Sequence, residues 1–279
     1  MRGGGWYKRI DLTFDPLKPT KGRFAEFVRN DKRHEIVASK GQTIAPTTDD
    51  QPFPTHVFVG APQSRNNLWI AIAIALLLVL LPALVLLPRD KRSGGGHLPD
   101  IGFFSLLGIG YLVIEVALIH RYQLYLGSPS YALIVVLGTM LVASGLGGYS
   151  LRAASPRNGA MLCGGVALVG AIVFTLLGPM FQVTMGSVLA LRILLTMLTI
   201  APIGFLMGAP LPTAMEAVKA RRGNEAVALA WAIAGALGVV GTSLAYWLAV
   251  VIGFEATSFV GFAAYALAAG FAPWVYRRP

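Results

Sequence analysis

An almost unbroken apolar run, LWIAIAIALLLVLLPALVLL, fills positions 68–87 and limits the possible folds of this chain more than any other feature. At a rise of ~1.5 Å per residue, a helix of this length spans the ~30 Å hydrocarbon core of a bilayer. Six more apolar windows follow. The sequence therefore predicts an all-α integral membrane protein with about seven transmembrane helices, preceded by a short polar N-terminal segment.

The charged residues are concentrated in the polar N-terminal segment, and the rest of the chain is mainly apolar. The chain is 55% hydrophobic and 13% charged, whereas a soluble domain carries about 25% charged residues. Residues 1–66 hold 11 of the 23 Lys and Arg and 7 of the 13 Asp and Glu. We expect a polar segment at 1–66 and a polytopic membrane domain at 67–279. The predicted spans are Leu68–Pro88, Ile101–His120, Tyr131–Leu151, Gly159–Leu177, Ser187–Met207, Val227–Ile252 and Ala256–Tyr276.

The basic residues predict the orientation, because Lys and Arg collect in cytoplasmic loops. Only Arg121 falls on the opposite side. Tyr122 and Tyr125 would then lie at the outer interface, and Trp274 and Tyr276 at the inner one, as aromatic belts require. The C-terminus is predicted to be cytoplasmic, and an odd number of spans places residues 1–66 outside. The residues on the basic side are Arg89, Lys91, Arg92, Arg152, Arg157, Lys219, Arg221, Arg222, Arg277 and Arg278.

The net charge, the single cysteine and the absence of catalytic motifs limit the chemistry expected of this chain. The formal charge of +10 fits loops that meet anionic lipid better than a nucleic-acid surface. Cys163 is the single cysteine, so no intrachain disulfide can form. We find no Ser/His/Asp, metal-ligand or phosphate-loop pattern, and so predict no catalytic, cofactor-binding or metal-binding residue in this chain.

Two opposite charges lie inside predicted spans. Glu115 and Arg192 fall at similar depths, about 9 Å and 7–8 Å below the outer surface. Intramembrane charges are rare and tend to be paired or functional. We favour a structural pair that faces the bundle interior. The alternatives are that Arg192 reaches the outer headgroups beside a neutral Glu115, or that both form a substrate or proton site.

Prolines and glycines mark two further features. The segment PIGFLMGAPLP carries Pro202, Gly204, Gly208, Pro210 and Pro212. Broken helices of this kind build sites in transporters, although Pro and Gly are also ordinary in membrane helices.

A second set of glycines predicts close helix packing, because small residues let backbones approach in lipid. The pattern fits contacts within one chain and contacts between copies in a homo-oligomer equally well. These glycines are Gly145, Gly147, Gly148, Gly235, Gly238 and Gly241.

Several of these segments resemble the membrane portion of bacterial spermidine synthase-like proteins. The segment IGFFSLLGIGYLVIEVALIHRYQLYLGSPSYALIVVLGTMLVASGLGGYSLR has the aromatic-x-x-x-Glu feature at Tyr111 and Glu115 and a Gly-Leu-Gly before the basic turn. APIGFLMGAPLPTAMEA and LAWAIAGALGVVGTSLAYWLAVVIGF are also similar, although Ala234 stands where asparagine is common. The resemblance covers residues 12–276 and implies the bacterial inner membrane as the location.

The resemblance also accounts for the stretch ahead of the first span. PTTDDQPFP, with Asp49 and Asp50, is similar to the element that ends the soluble domain in long family members. That domain is of the S-adenosylmethionine type and resembles aminopropyltransferases or methyltransferases. The 66 residues present are too few for such a doubly wound domain of about 100–150 residues. We therefore expect residues 1–66 to be the remnant of a catalytic-type domain, in a truncated or split protein.

Three functional hypotheses follow. The first is a non-catalytic membrane module that anchors or partners a transferase domain, which would itself hold S-adenosylmethionine or its decarboxylated form. The second is a small secondary transporter of a cationic or lipid-like substrate, with Glu115, Arg192 and the segment from Pro202 to Pro212 on its pathway. The third, enzymatic activity in this chain, lacks catalytic groups.

Overall fold

The computed structural model describes residues 66–74, 77, 98–151 and 155–276, which belong to one packed unit. The described residues between Leu98 and Val275 form six helices. They are α1 (Leu98–Leu126), α2 (Pro129–Ser150), α3 (Pro156–Thr184), α4 (Leu189–Met207), α5 (Pro210–Arg222) and α6 (Asn224–Val275).

The start of the first predicted span is helical at residues 66–74. Leu68 packs there against Ala236 and Val240 of α6. Most of the window Leu68–Pro88 lies outside the described residues, as do residues 1–65 with Asp49 and Asp50.

Five of these helices are long and apolar enough to cross a membrane: α1, α2, α3, α4 with its continuation α5, and α6. Their outer faces are apolar and exposed, for example at Ile134, Leu176 and Leu198. Such surfaces are stable in lipid and not in water. No strand occurs in the described ranges. The structure thus confirms an all-α, multi-pass membrane protein.

Local signals set the helix ends. Gly127, with φ 75°, follows α1, and a glycine adopts this left-handed geometry without steric cost. Pro129 then begins α2, where its missing N–H is harmless. Ser155 caps α3, because its side chain accepts a hydrogen bond from the Asn158 N–H at 3.1 Å.

Two segments expected to be links are largely helical. EAVKARRGNE continues α5 as far as Arg222, where Lys219, Arg221 and Arg222 complement the negative end of the helix dipole. GPMFQVTMG continues α3 to Thr184, with Pro179 inside the helix. Helices therefore extend beyond the apolar windows, because polar residues can continue a helix after the hydrophobic run has ended.

The last helix is a hairpin. A straight helix of 52 residues would be ~78 Å long, more than twice the ~30 Å core. Gly253 interrupts it with φ 88° and ψ 163°. Arg221, three residues before α6 begins, donates from Nη2 to the carbonyl of Val275 at its far end, at 2.8 Å. Residues 224–252 and 254–275 therefore run in opposite directions, as the windows Val227–Ile252 and Ala256–Tyr276 predict.

Helix α1 packs between the two arms of this hairpin. Gly108 lies against the carbonyl of Ala234 in the first arm. The ring of His120 stacks on Phe254 at the reversal, with 4.4 Å between centroids. Gly102 faces the ring of Phe271 near the end of the second arm. The bundle thus has a reversal end around Gly253 and a second end that holds Asp100, helix α5 and both termini of α6. We call the latter the basic end.

Replacing Gly253 with alanine is expected to lower the free energy of unfolding by about 1–2 kcal/mol, because this backbone region is essentially restricted to glycine. Gly270→Ala is a matched control in the same helix, since an added Cβ there meets nothing within 4 Å. Unfolding in detergent, followed by circular dichroism, measures both. Equal stability of the two variants would contradict the role of Gly253 in the reversal.

The glycines predicted to pack closely divide into two groups. A Cβ added at Gly147 or Gly241 would collide with the backbone of a neighbouring helix. Gly148 and Gly238 are also in close contact, with such a Cβ 3.0 Å from the Gly208 oxygen and 3.3 Å from Leu112, respectively. Gly145 and Gly235 differ, because an added Cβ would meet nothing within 4 Å. The close contacts occur within one chain, so these four glycines cannot also pack closely against a second copy of the chain.

Two tyrosines expected at the outer interface are buried instead. Tyr122 and Tyr125 are fully covered. Their hydroxyls hydrogen-bond with Thr199 at 2.5 Å and Thr184 at 2.7 Å. The ring of Tyr125 also stacks on Phe181, with centroids 4.2 Å apart. They are core residues because α1 continues to Leu126, which keeps both rings between helices.

Candidate functional site

A groove of about 880 Å³ lies in the half of the bundle nearer the basic end. Its floor is α1, from Leu107 to Leu112. One wall is the second half of α2, and the opposite wall is the first arm of α6 around Trp231 and Gly235. Helix α5 closes one end with Pro212, Thr213 and Glu216. The volume lies within the ~300–1,000 Å³ range of small-molecule sites.

All three membrane stretches whose motifs were described from the sequence contribute to this groove. Tyr111 comes from α1, and Gly145 from the glycine-rich end of α2. Gly208 comes from the proline-rich segment, and Trp231 and Ala234 come from α6. These positions are up to 123 residues apart in the sequence. The fold therefore gathers separate sequence motifs around one space.

The polar groups of the floor form a small network. Tyr111 makes a side-chain hydrogen bond with Ser144. The Ser144 hydroxyl itself donates to the Leu141 carbonyl at 3.2 Å, so its oxygen is available to accept from Tyr111. Glu115, one turn farther along α1, interacts electrostatically with Tyr111. A carboxylate thus lies close to the floor without lining the groove.

A second network fixes α5 beneath the groove. The Thr213 hydroxyl lies 2.7 Å from the Ala209 carbonyl and 2.8 Å from the Tyr276 hydroxyl. Tyr276 in turn donates to the Pro210 carbonyl at 3.1 Å. Both side chains are buried. Because Tyr276 follows the last helix, these bonds tie the closed end of the groove to the C-terminal end of α6.

An ion-pair cluster at the basic end holds three helices together. The Arg221 Nη2 atom is 2.8 Å from Asp100 Oδ1, and Arg222 Nε is 3.3 Å from Asp100 Oδ2. Arg221 also donates to Val275, as described above. Asp100 begins α1, the two arginines end α5, and Val275 ends α6. The cluster is largely buried and positions α5 relative to the groove.

The expected pair between Glu115 and Arg192 does not form, although both residues are described. The Arg192 Nη1 atom donates to the carbonyl of Tyr125 at 2.8 Å. Tyr125 lies ten residues beyond Glu115, or ~15 Å along the helix axis. The two residues are apart because α1 continues six residues past His120, to Leu126, so the end of this helix is farther from Glu115 than the apolar window indicates. Glu115 is therefore deeper than expected, and Arg192 lies at the reversal end.

The proline-rich segment is divided between packing and the groove. Pro202 lies inside α4, and Gly204 packs on Met140 and Ala143 of α2. The break falls at Gly208 and Ala209, before Pro210 starts α5.

Gly208 packs on the carbonyl of Ser144 and, with Pro212, lines the groove. The break thus provides one boundary of the cavity.

Three residues of this region were not singled out in the sequence. Asp100 had only the signal of an acid at a helix start. Glu216 and Trp231 lie inside quoted motifs, but nothing in their spacing showed that they share a cavity. Among the described residues, no group of three or more His, Cys, Asp or Glu side chains could hold a metal ion.

Fold and surface together define a multi-pass helical membrane protein with a groove at its basic end. No family model, curated protein or solved structure matches the chain. The likeness to spermidine synthase-like proteins therefore rests on the sequence motifs alone.

Proposed function

We propose that this chain is the membrane module of a spermidine synthase-like protein. It would be a non-catalytic, seven-span module in the bacterial inner membrane, with residues 1–66 as the remnant of a soluble domain. Its role would be to anchor or partner an S-adenosylmethionine-type transferase domain. That partner, not this chain, would hold S-adenosylmethionine or its decarboxylated form.

The observation that carries this proposal is the convergence of the family-like motifs on the groove. Tyr111, Gly145, Gly208 and Trp231 belong to three separate stretches, yet all line one space. Their meeting supports a site that belongs to the whole class of protein.

The charge distribution supports the orientation of the module. Arg157, Lys219, Arg221 and Arg222 lie at the basic end, where α3 begins and α5 ends. The positive-inside rule places this end, and with it the C-terminus, in the cytoplasm. A soluble transferase would therefore meet the module at the end of the bundle nearer the groove.

Co-purification tests the proposal. The tagged full chain, coexpressed with the transferase-type protein encoded beside it, should recover that protein in mild detergent. Lys219→Glu should reduce the recovery severalfold, because it reverses an exposed charge at the basic end. Val188→Glu is the matched control, since it places a carboxylate at an exposed site of the opposite end. Turnover of S-adenosylmethionine or its decarboxylated form by the chain alone would contradict a non-catalytic role.

A second candidate function, a small secondary transporter, is favoured by one observation: the helix break at Gly208 lines a cavity of substrate size. Its pathway would use the groove and Glu115, while Arg192 lies at the other end of the bundle. Uptake of a cationic or lipid-like substrate into liposomes, lost in folded Glu115→Gln, would favour this function. Recovery of the transferase without uptake would favour the module.

A further inference from the structure

We propose that the groove binds the ammonium end of an amphiphile whose apolar tail lies along the lipid-facing side of the bundle. This ligand class goes beyond the role of a membrane module and does not depend on a transferase partner. The proposal rests on the charge, the aromatic rings and the shape of the groove.

The charge of the lining has one sign. Glu216 contributes a carboxylate, and it forms no ion pair with another described residue. Among the described residues, neither lysine nor arginine lines the groove. Arg221 and Arg222, on the same helix, are directed to Asp100. The charge on the described lining is therefore negative, and it attracts a cationic group.

Aromatic rings stand at the entrance and on the floor. Trp231 is 61% exposed and Tyr149 is 69% exposed, and both line the groove together with Tyr111. Ring faces attract organic cations, and Trp does so most strongly. A carboxylate beside several aromatic rings matches an alkylated or primary ammonium better than a hydrated metal ion, which requires oxygen ligands.

Apolar walls and two glycines provide the space for the tail. Leu112 and Leu141 line the groove, and Leu141 is exposed on the outer face of α2. Gly145 and Gly235 stand on the two walls, and an added Cβ at either would enter open space. Since neither glycine is needed for close packing, their small size keeps the groove wide.

The first test fills the groove. The full chain in nanodiscs is titrated with spin-labelled dodecyltrimethylammonium, and binding is read from quenching of tryptophan fluorescence. Gly145→Leu and Gly235→Leu should each weaken binding at least tenfold while the melting temperature is retained. Gly138→Leu is the control, because Gly138 also faces open space on α2 but does not line the groove. Unchanged affinity in both filled variants that remain folded would overturn the proposal.

The second test concerns charge. Glu216→Gln should weaken binding of the cationic probe about fivefold and leave binding of a neutral alkyl maltoside unchanged. Dodecyl sulfate should not compete; equal binding of the sulfate and the ammonium would overturn the proposal. Competition by phosphatidylcholine, but not phosphatidylglycerol, would identify a lipid headgroup as the ligand. Displacement by free alkylammonium alone would identify a soluble amphiphile, and either source supports an ammonium site.

Discussion

Replacing Asp100 with asparagine is expected to lower the free energy of unfolding by about 3 kcal/mol, because it leaves two buried guanidinium groups without their carboxylate. Asparagine keeps the shape of the side chain, so the loss comes from charge and not from volume. The side chains of Asp100 and Arg221 are only 12% and 14% exposed, so water can solvate the unpaired guanidinium group only weakly. Unfolding in a detergent titration measures the effect.

Glu225→Gln is the control for this substitution. Glu225 is an exposed acid in the first turn of α6, at the same end of the bundle. Surface changes of this kind usually stay within about 0.5 kcal/mol. If Asp100→Asn were as stable as Glu225→Gln, the cluster would not hold α1, α5 and α6 together.

The second large effect is expected at Gly147, where alanine should lower the free energy of unfolding by about 3 kcal/mol. A Cβ at this position would collide with the carbonyl of Phe205. Backbone cannot rotate away as a flexible side chain can, so α2 and α4 would have to separate. The affected contacts extend along the pair through Gly204 and Gly208.

Gly145→Ala is the matched control, in the same helix and only two residues away. An added Cβ there meets nothing within 4 Å, and alanine is a better helix former than glycine by about 0.5–1 kcal/mol. We therefore expect Gly145→Ala to be neutral or stabilising. Thermal unfolding of both variants in the same detergent would show opposite signs; similar losses would be evidence against a specific α2–α4 contact.

The sequence alone predicts the helical membrane class because apolar length is a local property. The windows in α1, α2, α3 and α4 lie on the helices that form, and the window pair 227–252 and 256–276 matches the two arms of α6. The helix ends are predicted less well. Leu126 and Thr184 lie beyond the apolar windows, and this extension displaced Glu115 from the depth at which it would have met Arg192.

The groove could not be predicted because it depends on how helices face each other. Gly145 and Gly147 look equivalent in sequence, yet a two-residue step turns ~200° around a helix. One therefore faces the groove and the other faces α4. The same limit applies to Asp100, whose partner Arg221 is 121 residues away and is brought close only by the packed bundle.

The reversal at Gly253 bears on how the polypeptide enters the membrane during synthesis. No polar loop separates residues 224–252 from 254–275, and only a single residue departs from helical geometry. We expect the two arms to partition into lipid as one paired unit, since there is too little chain between them for independent entry. Insertion of the C-terminal region is then a single event. The carboxylate of Glu255, beside the turn, is the only formal charge between residues 226 and 276. It is therefore the only charge in this region that must cross the hydrocarbon.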